Sequence, residues 1–211
     1  MGYEPLATLL LGWLLGILQP AIVERIRKNY RRAELTVAIK SELHEMQYKM
    51  ALVSHMLNIH LATATDAHLV WLGSIISNYT GPMRDDSLSE KLSAFQAMPE
   101  KARHEELARG RNPHAPPAVL QYSVPFITAH LADIALYPVP FQAAILRITH
   151  HLDMFNQTVT YRQKLHDKTF DASLSAVSRA AVLSNFEHGC RLLATQAKLI
   201  ADAIASLPDV K

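Results

Sequence analysis

Eleven histidines in 211 residues make metal binding and acid–base catalysis the first chemistries to test. A zinc site needs ligands on one face of a helix or held together by a fixed loop, as the two His of an HExxH pattern are. The chain has no HExxH. His44 and His55 are eleven residues apart, about three helical turns, so they share a side without reaching one ion. His55 and His60 are five apart and diverge. The single cysteine, Cys190, removes any cysteine-framed zinc site and any internal disulfide. No metal and no cofactor is expected. The densest polar group is Arg147, His150, His151 and Asp153. His151 lies beside an apolar stripe and one turn from Arg147, open to being held by Asp133 or Tyr161, or to titrating as a switch near neutral pH. The simpler reading is a helix-flank histidine satisfied by its neighbours. His130 and Asp133, one turn apart, invite the same reading.

Nucleophilic and phosphate chemistry find no better footing. There is no GxSxG elbow, no Walker A loop and no GxGxxG, so serine-hydrolase, nucleotide-hydrolase and dinucleotide readings lack their physical parts. Helical bundles of the HEPN type cleave RNA with an Arg that polarises phosphate and a His that moves the proton, with about four to six residues between the two. Arg109 and His114 have that spacing but sit in a loop rich in Pro and Gly rather than on a bundle helix. Arg147 with His151, and Arg162 with His166, are one residue too close. No catalytic residue is assigned.

Charge is more informative once it is located. The net charge is only +2, but Arg25, Arg27, Lys28, Arg31 and Arg32 crowd together with Glu24 as the one nearby acid. Residues 33–211 hold 16 basic against 17 acidic residues, so a nucleic-acid-binding surface is not indicated. Before the cluster, residues 5–23 read PLATLLLGWLLGILQPAIV, with no charge. That length suffices to span a bilayer as a helix. A cleaved signal peptide wants positive charge ahead of the run, whereas here it follows, and a core helix would show a polar face. The expectation is a transmembrane anchor with the N-terminus outside and residues 24–211 in the cytoplasm of a single-pass inner-membrane protein, the basic cluster lying at the lipid surface. Gly12, Gly16 and Pro20 fall near one helix face, a small-residue pattern that lets membrane helices approach closely, so a homo-oligomer is expected.

The elements that carry these residues read as all-α. Gly (7) and Pro (11) are too few for the turns of an all-β fold. From residue 21 to 61 neither occurs, so the anchor continues as one rod of roughly 60 Å. Leu35, Ile39, Leu43, Met46, Met50, Val53 and Leu57 recur every three or four residues as a core-facing stripe. Thr65 and Asp66 can cap a second helix through Tyr79. Ser87 with Glu90 forms a capping-box pattern that opens a polar helical stretch continuing past Pro99 to Arg109. A loop follows, then a helix over 118–137. Phe141, Ile145, Ile148, Leu152, Phe155 and Val159 mark a further long helix, and Asp171 caps the last, with the stripe Val182, Phe186, Gly189, Leu193, Ala197, Ile200 and Ile204. The organisation expected is an anchor over 1–23, a basic collar and connecting helix over 24–64, a helical insertion over 65–117, and the rest of a cytoplasmic antiparallel four-helix bundle over 118–211.

This layout, with the segment WLLGILQPAIVERIRKNYRR, resembles the small single-pass membrane effectors of prokaryotic defence systems. It is similar to the accessory membrane protein of type VI CRISPR loci, whose degenerate HEPN-like bundles assemble into a ring with a membrane pore. The resemblance covers the layout over residues 5–207 and carries over no functional residue. It implies an oligomeric effector or scaffold, pore-forming in antiviral defence, partnered by membrane lipid and by copies of itself. The alternative is a membrane-tethered enzyme, an HEPN-like ribonuclease or a metal hydrolase using the histidines.

Overall fold

A computed structural model describes the backbone of residues 4–110 and 117–210, and the side chains within them except those of residues 4–12, 14, 15, 104 and 110. Every described element is helical: α1 (Glu4–His60), α2 (Asp66–Asn78), α3 (Asp86–Gln96), α4 (Glu100–Gly110), α5 (Pro125–Ala129), a 3-10 turn over Leu131–Leu136, α6 (Val139–Thr169) and α7 (Ala176–Ala205). The chain is all-α. Among the described residues no helix is long and apolar enough to cross a membrane. Ten of the nineteen side chains of the apolar run over 5–23, Gly12 among them, lie outside the described residues.

The core is built on α1, α6 and α7, with α7 packed against both of the others. Ser54 Oγ donates to the Ala194 carbonyl at 3.1 Å and Gln47 Nε2 to the Ala201 carbonyl at 3.3 Å. The residue numbers rise along α1 as they fall along α7, so the two run antiparallel. All seven stripe residues of α1 and all six of α6 are buried. On α7 the stripe is buried from Phe186 onward, while Val182 is only partly covered. Three- and four-residue spacing therefore located the core face of each long helix correctly, because at 3.6 residues per turn it keeps apolar groups on one line. α1 also has a second buried face. Tyr48 and Ala51 pack with Leu69, Leu72, Ile76 and Leu92 from α2 and α3, and Tyr48 stacks on Tyr79 with ring centres 4.1 Å apart.

Three boundaries correct the expectations from sequence. The largest is the helix expected over 118–137. In its place residues 117–124 are non-helical, α5 makes little more than a turn, and a 3-10 turn follows. Pro125 is at the first helical position of α5 and disfavours helix in the residue before it. Both free amides after it, those of Phe126 and Ile127, donate to the two carboxylate oxygens of Glu42 at 2.9 Å. Asn156 secures the preceding segment, accepting from the Tyr122 amide at 3.0 Å and donating to its carbonyl at 2.8 Å. Polar groups from α1 and α6 thus satisfy backbone that a longer helix would have paired internally. The described bundle has three long helices rather than four. Second, α3 starts at Asp86, with Asp85 as the cap accepting from Ser87 N–H at 2.9 Å, and Pro99 separates it from α4. Third, Ser175 caps α7 by accepting from Ser178 N–H, while Asp171 folds the preceding turn onto Ser173. The expected cap of α2 holds: Thr65 accepts from His68 N–H at 3.2 Å.

Candidate functional site

α1 is one continuous helix of 57 residues, about 85 Å long, and Pro20 lies within it without ending it. Only its C-terminal part is covered. Every residue from 16 to 31 is exposed, as is Trp13, with Trp13 66%, Ile17 56%, Ile22 51% and Ile26 50% accessible. At 100° per residue the exposed Trp13, Ile17, Leu18, Ile22, Val23 and Ile26 point in all directions around the axis. No rotation of this arm against the bundle would cover them all, so among the described side chains the arm is apolar on every side and buried on none.

Gly16 stands on the arm with nothing near enough to touch an added Cβ, and Pro20 is likewise exposed. Of the basic cluster, Arg25, Arg27 and Lys28 are exposed, and Lys28 pairs with Glu24 at 2.7 Å. Arg25, Lys28 and Arg32 line one groove of about 500 Å³ together with the acid Glu24, with Ala135 and Leu136 of the 3-10 turn on its other side. Arg31 reaches the bundle instead, with its guanidinium 2.8 Å from Asp133. Asp133 also meets His130 Nδ1 at 3.1 Å, and the Arg31 and His130 hydrogen bonds hold its carboxyl below the usual carboxylate range. One turn on, Tyr137 O–H donates to the Arg32 carbonyl at 3.1 Å. The 131–137 segment therefore fastens the arm's root, and the His130/Asp133 pair noted in the sequence is part of that fastening.

The group Arg147, His150, His151 and Asp153 lies on the outer side of α6. Arg147, His150 and Asp153 are exposed and His151 partly so. Among the described residues no hydrogen bond joins any two of the four. The His150 and His151 rings are 6.1 Å apart, and burial, with His150 and Arg147 nearby, pushes the His151 imidazole down. Asp133 is committed to Arg31, and Tyr161 is exposed. His114 lies outside the described residues. Among the described residues no three His, Cys, Asp or Glu side chains are grouped to hold a metal ion.

Two polar groupings escaped the sequence reading. His55 of α1 and His68 of α2 stack with ring centres 5.6 Å apart, and burial, with His68 next to it, pushes His55 down to about 4. Beside them Trp71 Nε1 donates to Asp202 at 2.7 Å, and Lys198 pairs with the same carboxylate at 2.6 Å. The Lys198–Asp202 spacing of four was visible as a helical ion pair. Trp71, 131 residues away from Asp202, had no local signature. The chain matches no family model, no curated protein and no solved structure.

Proposed function

We propose that the protein is a membrane-anchored homo-oligomeric effector or scaffold, its arm in the bilayer and its bundle in the cytoplasm. One observation carries the reading: a run of exposed apolar side chains on all faces of α1, followed directly by Arg25, Arg27 and Lys28. Water is a poor solvent for such a helix, and each buried apolar group gains roughly 25 cal/mol per Å² on leaving it. Lipid covers every face of the arm at once, and the cations after it favour the cytoplasmic side. The exposed Arg25 and Arg27 suit the phosphates of anionic headgroups. Close packing of arms through Gly12 and Gly16 supplies self-association, and a ring of arms makes a pore. The resemblance in layout extends this to a pore-forming effector of prokaryotic antiviral defence. The tethered-enzyme alternative would need a compact catalytic grouping, and among the described residues no three His, Cys, Asp or Glu side chains are grouped to hold a metal ion.

The test is the size of the detergent-extracted particle, together with membrane potential on expression. Gly12→Leu with Gly16→Leu should leave the fold and membrane extraction intact while reducing the particle to monomers and abolishing any loss of potential. A wild-type monomer, or a double variant of unchanged size and activity, would refute the oligomeric effector. Recovery of the wild type in the soluble fraction without detergent would refute the anchor.

A further inference from the structure

The outward side of α1 carries a second apolar line that continues beyond the arm. Val23, Ile26, Tyr30, Ala33 and Val37 recur at steps of three, four, three and four. All five are exposed, Tyr30 by 71% and Val37 by 72%. At about 100° per residue they fall within roughly 80° of one another, on the side of the helix away from Leu35, Ile39 and Leu43. The bundle cannot cover this line while it holds its own stripe. The line runs back through Gln19 and Gly16, again at steps of four and three, so it is continuous with the small-residue face of the arm.

Lipid does not reach the far end of the line. Val37 lies 14 residues past Val23, about 21 Å along the helix, with Arg25, Arg27, Lys28 and Arg31 between them. Tyr30 and Val37 therefore stand in water even when the arm is inserted. The spacing selects the occupant. A seven-residue repeat of alternating three and four is the seam of one helix against another of the same period, and a second copy of α1 has that period by construction. The flanks allow the pairing: in a parallel pair Asn29 of one copy faces Glu34 of the other, and Ile22 faces Arg27, so no like charges meet. At roughly 100 Å² each, the five side chains offer about 500 Å² per copy and about 1,000 Å² in a pair, the lower bound for a specific interface before the arms add theirs.

We propose that Val23, Ile26, Tyr30, Ala33 and Val37 form a parallel, in-register coiled-coil seam between the α1 helices of two copies, outside the bilayer. The proposal rests on the homo-oligomeric reading above, and on the anchor for its direction, since arms inserted in one membrane from one side point the same way. It places the contact where the arm alone does not reach. α1 then serves two partners at once: the face bearing Leu35 to Leu57 packs on its own α6 and α7, and the opposite face packs on the other copy. Each bundle sits on the outside of the joined rods, so the seam is not blocked by the helices that cover the stripe.

Cys190, the one native thiol, is buried, so oxidation of the full-length protein in its membrane reports on cysteines introduced singly at exposed positions. Ile26→Cys and Ala33→Cys, each alone, should form disulfide-linked dimers. An antiparallel pair brings at most one of these two positions against itself, so links at both require the parallel register. Lys28→Cys, exposed on the opposite side of the helix, should give roughly tenfold less dimer. Tyr30→Glu added to Ala33→Cys should cut the dimer yield roughly tenfold by setting carboxylates face to face in the seam; Tyr30 is exposed, so the fold and membrane extraction should be unchanged. A wild-type particle that is monomeric in detergent would overturn both the seam and the homo-oligomer. A wild-type oligomer in which either seam cysteine fails to link, Lys28→Cys links equally well, or Tyr30→Glu changes nothing would leave the homo-oligomer standing and overturn the seam.

Discussion

Within α1, Leu35, Ile39, Leu43, Met46, Met50, Val53 and Leu57 lie beneath other helices, whereas Ile17, Leu18, Ile22, Val23 and Ile26 stand in the open. Hydrophobicity alone does not separate the two sets. What differs is arrangement: the first keeps to one line and leaves Glu34, Ser41 and His44 exposed on another face, while the second surrounds the axis. A one-sided stripe can be satisfied by a bundle that the same chain builds. An apolar cylinder needs a surrounding that comes from elsewhere, whether lipid or other copies. One helix thus joins a part that stabilises the fold to a part free to serve association.

The contrast predicts its own largest effect. Leu57→Ala, at a fully buried position, should cost about 2–5 kcal/mol, read from denaturant unfolding of the helical signal. Ile22→Ala on the arm should stay within about 0.5 kcal/mol of the wild type. Comparable losses from both would mean that the arm packs on its own bundle, and the division of α1 would fail.

The next effect sharpens the contrast through titration. His55 faces α2 in the covered half and is pushed by burial from an ordinary value of 6.5 to about 4. His68 is lowered as well, by burial first and then by Lys198. Between about pH 6.5 and 4 the unfolded chain takes up a proton that the folded His55 refuses. Stability is therefore complete above the upper value, falls as pH falls through this window, and levels below it, by on the order of 3 kcal/mol for His55. His55→Gln should flatten most of that slope in unfolding measured across pH; an unchanged slope would assign it to other groups.

At the junction of the two halves the effect is smaller and of a different kind. Asp133, held low first by Arg31 and then by His130, contributes stability above the ordinary carboxylate range and loses it as pH falls through its folded value. Arg31→Gln should move the Asp133 carboxyl titration upward in an NMR experiment and speed amide exchange at the arm's root, leaving global stability nearly unchanged. A titration that stays in place would show that Arg31 does not fasten the arm.

Periodicity made the long helices legible, since every stripe residue from Leu35 to Leu57 and from Phe141 to Val159 is buried. It failed over 118–137 because the deciding partners are remote: Glu42 caps α5 from 84 residues away, and Asn156 holds Tyr122 from 34. A helix-like composition carries no mark of backbone groups that will be satisfied by another helix. The continuous rod of α1 was legible for the opposite reason, as residues 21–61 hold neither Pro nor Gly to interrupt it. The grouping of His55, His68, Trp71, Lys198 and Asp202 was not, because these residues meet only once α2 folds back across α1 and α7.

The smallest predicted change lies at the other end of the covered half, where α1 stops. Ala62 has φ of 55°, the left-handed region in which a Cβ crowds its own backbone at a cost of roughly 1–2 kcal/mol. It is kept there by the helix-ending bonds around it: Thr63 N–H to the Asn58 carbonyl at 2.8 Å, and Ala62 N–H to the Ile59 carbonyl at 3.0 Å. Glycine is the usual residue at such a position. Ala62→Gly should remove the strain, and since Ala62 is exposed its methyl has little packing to lose. The extra freedom glycine gives the unfolded chain offsets up to about 1 kcal/mol of that gain. The net is a stabilisation of roughly 0.5 kcal/mol, measurable as a higher denaturant midpoint at unchanged slope. A lower midpoint would mean that the Ala62 methyl is held by contacts that outweigh its strain. α1 would then be clamped at its end as well as along its stripe, and the covered half would be still less like the bare one.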